Sequence, residues 1–291
     1  MIYSTAQDWR DASHKRILLF GMSGLGKTFI SNLLRENGNW FHYSVDYRIG
    51  TRYMDEHIAD NFKTAAMQVP FLRELLLTDS IRISSKLSFN NLAPLSTYLG
   101  KPGDPSRGGI AFDEYQRRQG LHRKAEISTM LDTVHFIERA RTIYDYPHFL
   151  CDTSGSLCEV VDPHDPNDPV LSAIAPHIAL IQIRGTETDS DELVRRFDKA
   201  PKPMYYPPDF LVQSWQGYLA ETGVSEDKVD PDDFIRWGFR QLIGHRVPRY
   251  QAIADKWGAA ISADEVAKVR TAEDFNMLIA AALDKRAVAL D

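Results

Sequence analysis

Ile17-Leu18-Leu19-Phe20-Gly21-Met22-Ser23-Gly24-Leu25-Gly26-Lys27-Thr28-Phe29-Ile30 is the stretch from which the fold can be read. Four consecutive apolar residues that stop at a glycine predict a strand buried on both faces, as in a parallel sheet. Beyond the glycines, Phe29, Ile30, Leu33 and Leu34 have the spacing of one apolar helical face. A helix therefore follows, ending near Asn37-Gly38, a pair suited to a left-handed C-terminal cap. Phe41 to Val45 predicts a second strand that ends at Asp46. Strand, glycine turn, helix and strand open a βαβ unit, whose crossover makes the two strands parallel. The fold class is α/β.

Further along, Phe149-Leu150-Cys151 and Ile178 to Ile183 are apolar runs of the same strand type. Between Asp46 and Phe149 the chain looks mainly helical. Ile127, Met130, Leu131, Val134 and Ile137 recur at helical intervals and predict a helix over 121–144, whereas the Gly- and Pro-rich Leu99 to Gly109 predicts a long loop. Asp189 to Phe197 predicts a helix capped by Ser190 or Asp191, and Pro201, Pro203, Pro207 and Pro208 interrupt regular structure after it. From Gln213 the pattern is again helical, with a short strand at Ala259 to Ser262 and a closing helix at Glu273 to Leu283.

The chain has 291 residues, 43% of them hydrophobic, enough to bury a large core. Lys and Arg number 34 against 40 Asp and Glu, and the net charge of −6 argues against a general electrostatic grip on nucleic acid or an anionic membrane. Neither a secretory signal nor a long apolar span can be drawn, so the expected location is cytoplasmic. Cys151 and Cys158 read as reduced thiols, too few for a disulfide framework or a structural zinc site.

Gly21, Gly26, Lys27 and Thr28 fit the pattern G-x-x-x-x-G-K-[ST], with the strand before and the helix after that the pattern requires. Glycines let successive backbone N–H groups point inward around phosphate oxygens, and the helix start adds its positive end. The expected phosphate cradle is Gly21, Met22, Ser23, Gly24, Leu25, Gly26, Lys27 and Thr28, with Lys27 on the β- and γ-phosphates and the Thr28 hydroxyl on Mg²⁺. A second Mg²⁺ position calls for a carboxylate at another strand end, and Asp152 stands there, although an Asp before Thr153-Ser154-Gly155 also serves as a simple turn cap. Asp152 to Gly155 fits the D-x-x-G of switch GTPases too, but no Asn-Lys-x-Asp motif accompanies it. Asp168-Pro169 reads as the start of a helix over 170–175 rather than part of a metal loop.

With Gly-x-x-Gly-x-Gly-Lys-Thr the chain resembles the P-loop NTPases, and among them the small-molecule kinases of the shikimate, gluconate and adenylate kinase type, over residues 15–52 and 147–203. The resemblance implies a three-layer P-loop fold with a mainly parallel sheet. Its core would comprise 1–52 and 147–212, with a helical substrate or lid insertion at 53–146 and a helical C-terminal segment at 213–291 that can complete the core. It implies an ATP- and Mg²⁺-dependent phosphotransferase acting on a small-molecule acceptor. Carried over by position, Asp46 orients or deprotonates the acceptor, Arg48 or Arg52 clamps its anionic group, and Arg195 and Arg196 stand for the lid arginine. Each of these also fits a plain surface turn or helix end. The alternative function is a P-loop ATPase or nucleotide-sensing regulator that binds a protein partner.

Overall fold

The computed structural model describes residues 2–290. The chain opens with α1 (Ala6–Asp11), β1 (Arg16–Phe20), α2 (Lys27–Glu36) and β2 (Trp40–Ser44). A helical stretch follows: α3 (Val45–Arg48), a π-helical turn at Ile49–Tyr53, α4 (Asp55–Ala66), α5 (Pro70–Leu77), α6 (Ala93–Leu99) and the long α7 (Phe112–Thr142). Next come β3 (His148–Asp152), α8 (Leu157–Val160), α9 (Leu171–Ile174), β4 (Ala179–Arg184) and α10 (Glu187–Lys199). The last elements are α11 (Pro208–Thr222), α12 (Pro231–Trp257), β5 (Gly258–Ser262), α13 (Ala263–Val266) and α14 (Ala272–Leu290).

The five strands form one sheet in the order β2-β3-β1-β4-β5, and every pairing is parallel. β1 lies at its centre, which explains its unbroken apolar run: Ile17, Leu18, Leu19 and Phe20 are all fully buried. Leu18 pairs in register with Cys151 on one side and Leu180 on the other. The last strand adds an edge beside β4, with Ile183 opposite Ile261. The C-terminal helix also closes over the start of the chain. Trp9 Nε1–H donates to the Asn276 carbonyl at 3.2 Å, and the Trp40 ring stands edge-on to Phe275. Helix α1 has no counterpart among the elements expected from sequence.

The chain divides into two compact units. One holds the sheet and is built from the chain up to Val45, from Glu126 to Ala200 and from Gly238 onward; the other is helical and comprises Asp46–Ala125 and Pro201–Trp237. Against the expected core of 1–52 and 147–212, residues 46–52 and 201–212 fall in the helical unit and 126–146 in the unit that holds the sheet; of the C-terminal segment that could complete the core, 213–237 falls in the helical unit and 238–291 in the unit with the sheet. Among the described residues no helix is long and apolar enough to cross a membrane.

Local chemistry explains where the elements begin. The N-cap of α10 is Thr186, not Ser190 or Asp191: Thr186 Oγ1 accepts the Asp189 N–H while the Asp189 carboxylate accepts the Thr186 N–H, a closed capping box. Pro208 occupies the first turn of α11, where a missing N–H costs nothing, so it starts a helix instead of breaking one. The long helix α7 starts at Phe112, ahead of the expected 121. Of the apolar positions expected on its buried face, Met130 is fully buried and Ile127, Val134 and Ile137 are half-buried, but Leu131 is 40% exposed; Tyr115, Glu126, Thr129 and Thr133 are fully buried as well. Likewise Phe29 on α2 is 46% exposed, while Ile30 and Leu34 carry the packing.

Asp168 is only 4% exposed, and its carboxylate accepts three backbone N–H groups, those of Asp162, Val170 and Leu171 at 2.8, 3.0 and 2.8 Å. It ties the Asp-Pro loop to the start of α9. Asp168→Ala orphans these buried donors and is expected to lower stability by about 2 kcal/mol or more, read as a lower urea midpoint with unchanged slope.

Candidate functional site

The loop from Gly21 to Thr28 joins the central strand to α2. Its three glycines all have positive φ: +134° at Gly21, +87° at Gly24 and +107° at Gly26. A β-carbon at Gly21 would lie 2.5 Å from the Ile183 carbonyl oxygen, a backbone atom of the neighbouring strand, so this position has no room for a side chain. Met22 and Leu25 are buried and anchor the loop, whereas Ser23, Gly24 and Thr28 are exposed. Gly26 caps α2 with no side-chain hydrogen bond, which leaves first-turn N–H groups at the loop facing outward as an anion-binding end.

Lys27 is 7% exposed, and its ammonium donates to the carbonyls of Gly21 at 2.8 Å and Met22 at 3.1 Å. The loop thus curls around its own lysine. A multiply charged anion in the same hollow would offer this ammonium charge-assisted hydrogen bonds.

Sheet topology places this loop at a crevice. The chain leaves β1 toward the β2 edge and leaves β3 toward the β4 side, so the connections from these adjacent strands run in opposite directions, and open parallel sheets bind ligands at the carboxyl ends of such strands. Across that crevice Asp152 ends β3, in register with Leu19 and Ser44, with one carboxylate oxygen 3.7 Å from His42 Nε2. The turn after it is held to β1: both the Thr153 N–H and its hydroxyl donate to the Leu19 carbonyl, at 3.2 and 3.0 Å. Gly155 then passes so close to the loop that a β-carbon there would lie 2.3 Å from Ser23 Oγ.

Two buried carboxylates support this turn, and sequence reasoning found neither. Glu126 of α7, fully buried, accepts the hydroxyls of Ser154 and Ser156, the latter at 2.7 Å. Glu159 of α8 accepts Arg246 Nε–H at 3.0 Å and lies 3.2 Å from His245 Nδ1 and 3.8 Å from Arg249 Nε. Arg246, 2% exposed, also donates to the Gly155 carbonyl at 2.7 Å, and the Tyr250 hydroxyl donates to the same oxygen at 2.7 Å. The one signal available was spacing, since Glu126 shares a helical face with the apolar Met130.

The remaining expected residues divide between the units. Arg195 and Arg196 lie on α10 in the unit that holds the loop. Arg195 is exposed and its guanidinium pairs with Glu192 through bonds of 2.8 Å. Arg196 is 3.4 Å from Glu192, but one of its guanidinium nitrogens lies 3.8 Å from where a Gly24 β-carbon would be, so it reaches the glycine loop. Leu193 packs over the same glycine. Asp46, Arg48 and Arg52 belong to the helical unit: Asp46 is half-buried in the first turn of α3, Arg48 lies over the Tyr53 ring at 5.8 Å, and Arg52 is exposed.

Among the described residues no three or more His, Cys, Asp or Glu side chains gather into a metal site. The Thr28 hydroxyl and Asp152 carboxylate are hard oxygen donors, a pair that suits a magnesium ion drawing most of its ligands from water and phosphate. Both cysteines are buried, and burial pushes the Cys158 thiol up to about 12 and that of Cys151 further, so neither is a nucleophile at neutral pH. No protein-family model matches the chain, and no curated protein or solved structure is detectably similar to it.

Arg246→Met leaves Glu159 buried without its closest cation, and the expected cost is about 3–5 kcal/mol, seen as a large drop in melting temperature. Gly21→Ala forces the β-carbon onto the Ile183 carbonyl. It should destabilise the sheet and distort the loop together, giving a lower melting temperature and altered amide resonances from Gly21 through Thr28.

Proposed function

We propose that this chain binds a magnesium nucleoside triphosphate, ATP in the first instance, in the glycine loop and transfers its γ-phosphoryl group to a small-molecule acceptor. The observation that carries the reading is the loop itself: three left-handed glycines wrapped around a buried lysine ammonium at the carboxyl end of the central strand of a parallel sheet. Backbone N–H groups and the uncapped start of α2 suit phosphate oxygens, and the Lys27 ammonium beside them suits their charge.

In this reading Thr28 and Asp152 hold the magnesium, which supplies neutralisation of phosphate charge when bound. Arg196, already within reach of Gly24, compensates charge that develops on the transferred group. Arg195 is committed to Glu192 and serves α10. Asp46 accepts the acceptor's hydroxyl proton and Arg48 or Arg52 holds its anionic part, an assignment supported by residue type and by position just past β2.

A second reading rests on a different observation. Helix α5 has no buried residue, and Phe71 and Leu77 on it are 68% and 67% exposed. Apolar side chains so placed suit an ATPase or nucleotide-sensing regulator whose helical unit engages a protein partner.

Incubation with ATP, Mg²⁺ and a pooled metabolite extract, followed by mass spectrometry, separates the two. A new phosphorylated metabolite that appears only with the chain supports the phosphotransferase; steady ADP release without acceptor and without such a product supports the ATPase. Lys27→Ala should weaken nucleotide binding and lower turnover by about 10²-fold or more under either reading. Asp46→Ala should abolish transfer and leave the ATP dissociation constant nearly unchanged, and full turnover in that variant would remove Asp46 from the mechanism.

A further inference from the structure

Between α5 and α6, in the helical unit, Ile81 to Leu87 runs extended without a turn or bend, and its residues alternate strictly between half-buried and exposed. That is the period of a strand lying on a core. The inward set is anchored: a β-carbon on Gly50 would lie 2.4 Å from the Leu87 side chain, and the Ser85 hydroxyl donates to Asp55 at 3.1 Å. Both ends are fixed too, by the Ser80 N–H on the Leu75 carbonyl at 2.9 Å and by the reciprocal bonds of 3.1 Å between Ser88 and Asn91. Yet this strand has no neighbour. Among the described residues no backbone hydrogen bond is made by any N–H or C=O group of Ile81 to Leu87. An anchored, extended and unpaired row of this kind is a template for one more strand.

Side chains decide which strand it admits. Arg82, Ser84 and Lys86 are the outward set, and neither cation has an ion pair among the described residues. A second copy of the chain is turned away: paired antiparallel about Ser84 it would set Arg82 opposite Lys86, and paired parallel in register it would set each cation against itself. An incoming strand with acidic residues four apart instead places one opposite each cation. Its other face falls on the side of Ile81 and Ile83, where a groove of about 690 Å³ is also lined by Met67, Leu76 and Leu77. Leu77 is the α5 residue left 67% exposed.

We propose that Ile81 to Leu87 is a docking strand for an extended segment of a partner protein, which pairs with it through backbone hydrogen bonds, sets acidic side chains opposite Arg82 and Lys86 and turns apolar ones toward the groove. The proposal rests on the protein-partner reading and gives it a mode of binding; that reading is tested by ADP release, so the two fail separately.

The probe is the blocked, fluorescently labelled peptide Val-Glu-Val-Thr-Val-Glu-Val, whose order is the same in both directions and so meets both cations in either orientation. Val-Lys-Val-Thr-Val-Lys-Val is its control, and anisotropy is followed as the full chain is added. The glutamate peptide is expected to bind and to shift the amide resonances of Ile81 to Leu87, and the lysine peptide to bind about tenfold more weakly or less. Successive N–H groups of a strand point to opposite edges, so Ser84→Pro and Ser85→Pro each silence one edge. One of the two is expected to weaken binding about tenfold or more, and Ser84→Pro should hold the melting temperature, since no hydrogen bond of the fold is lost. Joint Arg82→Glu and Lys86→Glu should reverse the preference between the peptides. Lys27→Ala should leave peptide binding intact. The proposal is overturned if the glutamate peptide fails to bind at millimolar chain, if the charge-reversed chain keeps the original preference, or if both proline variants bind as the unaltered chain does. Should a proline variant not fold, N-methylation of alternate residues in the peptide removes the same bonds from the other side, and one of the two alternate sets must then abolish binding.

Discussion

Backbone approaches backbone at the ends of the central strands more closely than any side chain allows. Gly21 sits where a β-carbon would be 2.5 Å from the Ile183 carbonyl oxygen, and Gly258, where β5 begins, sits where one would be 2.2 Å from the Leu180 carbonyl oxygen. Both contacts bear on β4, one from each side. Gly21 makes its contact near the C-terminal end of β4 and Gly258 near the start of that strand, while Gly155 lies against the Ser23 side chain. The glycine at position 21 is therefore required by how tightly the loop packs on β4.

Such tight packing must be held from beneath, and polar groups do it. Arg246 and Tyr250 from α12 both hold the Gly155 carbonyl, Glu159 fixes Arg246, and Glu126 gathers Ser154 and Ser156. Hydrophobic packing alone would be as stable or more so, but it has no preferred direction. Hydrogen bonds to particular carbonyl and hydroxyl oxygens do, and they set the turn after Asp152 at a defined place beside the loop.

Much of the sheet was legible because its signals are local. The run Ile17 to Phe20 is buried on both faces and so has no polar alternation to confuse it, and the strands at Phe149 and Ile178 are buried in the same way. What was not legible depends on distant partners. A Glu in a helix reads as solvent-facing, and nothing near Glu126 in sequence announces Ser154 and Ser156. Arg246 reads as surface charge until Glu159 is placed beside it. On α7 periodicity placed Met130 correctly but not Leu131, because the polar Glu126, Thr129 and Thr133 take buried positions that no apolar pattern marks. The strand at Ala259 to Ser262 was itself legible, in a segment that could complete the core; its pairing with β4 is the part that no local pattern encodes.

That last pairing bears on how the chain emerges from the ribosome. β4 is finished at Arg184, yet the strand that covers its outer side begins only at Gly258, with α10, α11 and α12 in between. During synthesis of all that chain, the apolar β4 presents an open row of N–H and C=O groups on that side, the arrangement most prone to pairing with another copy. The order of the strands thus makes the nascent protein most vulnerable late, and the helices that separate β4 from β5 set how long that exposure lasts.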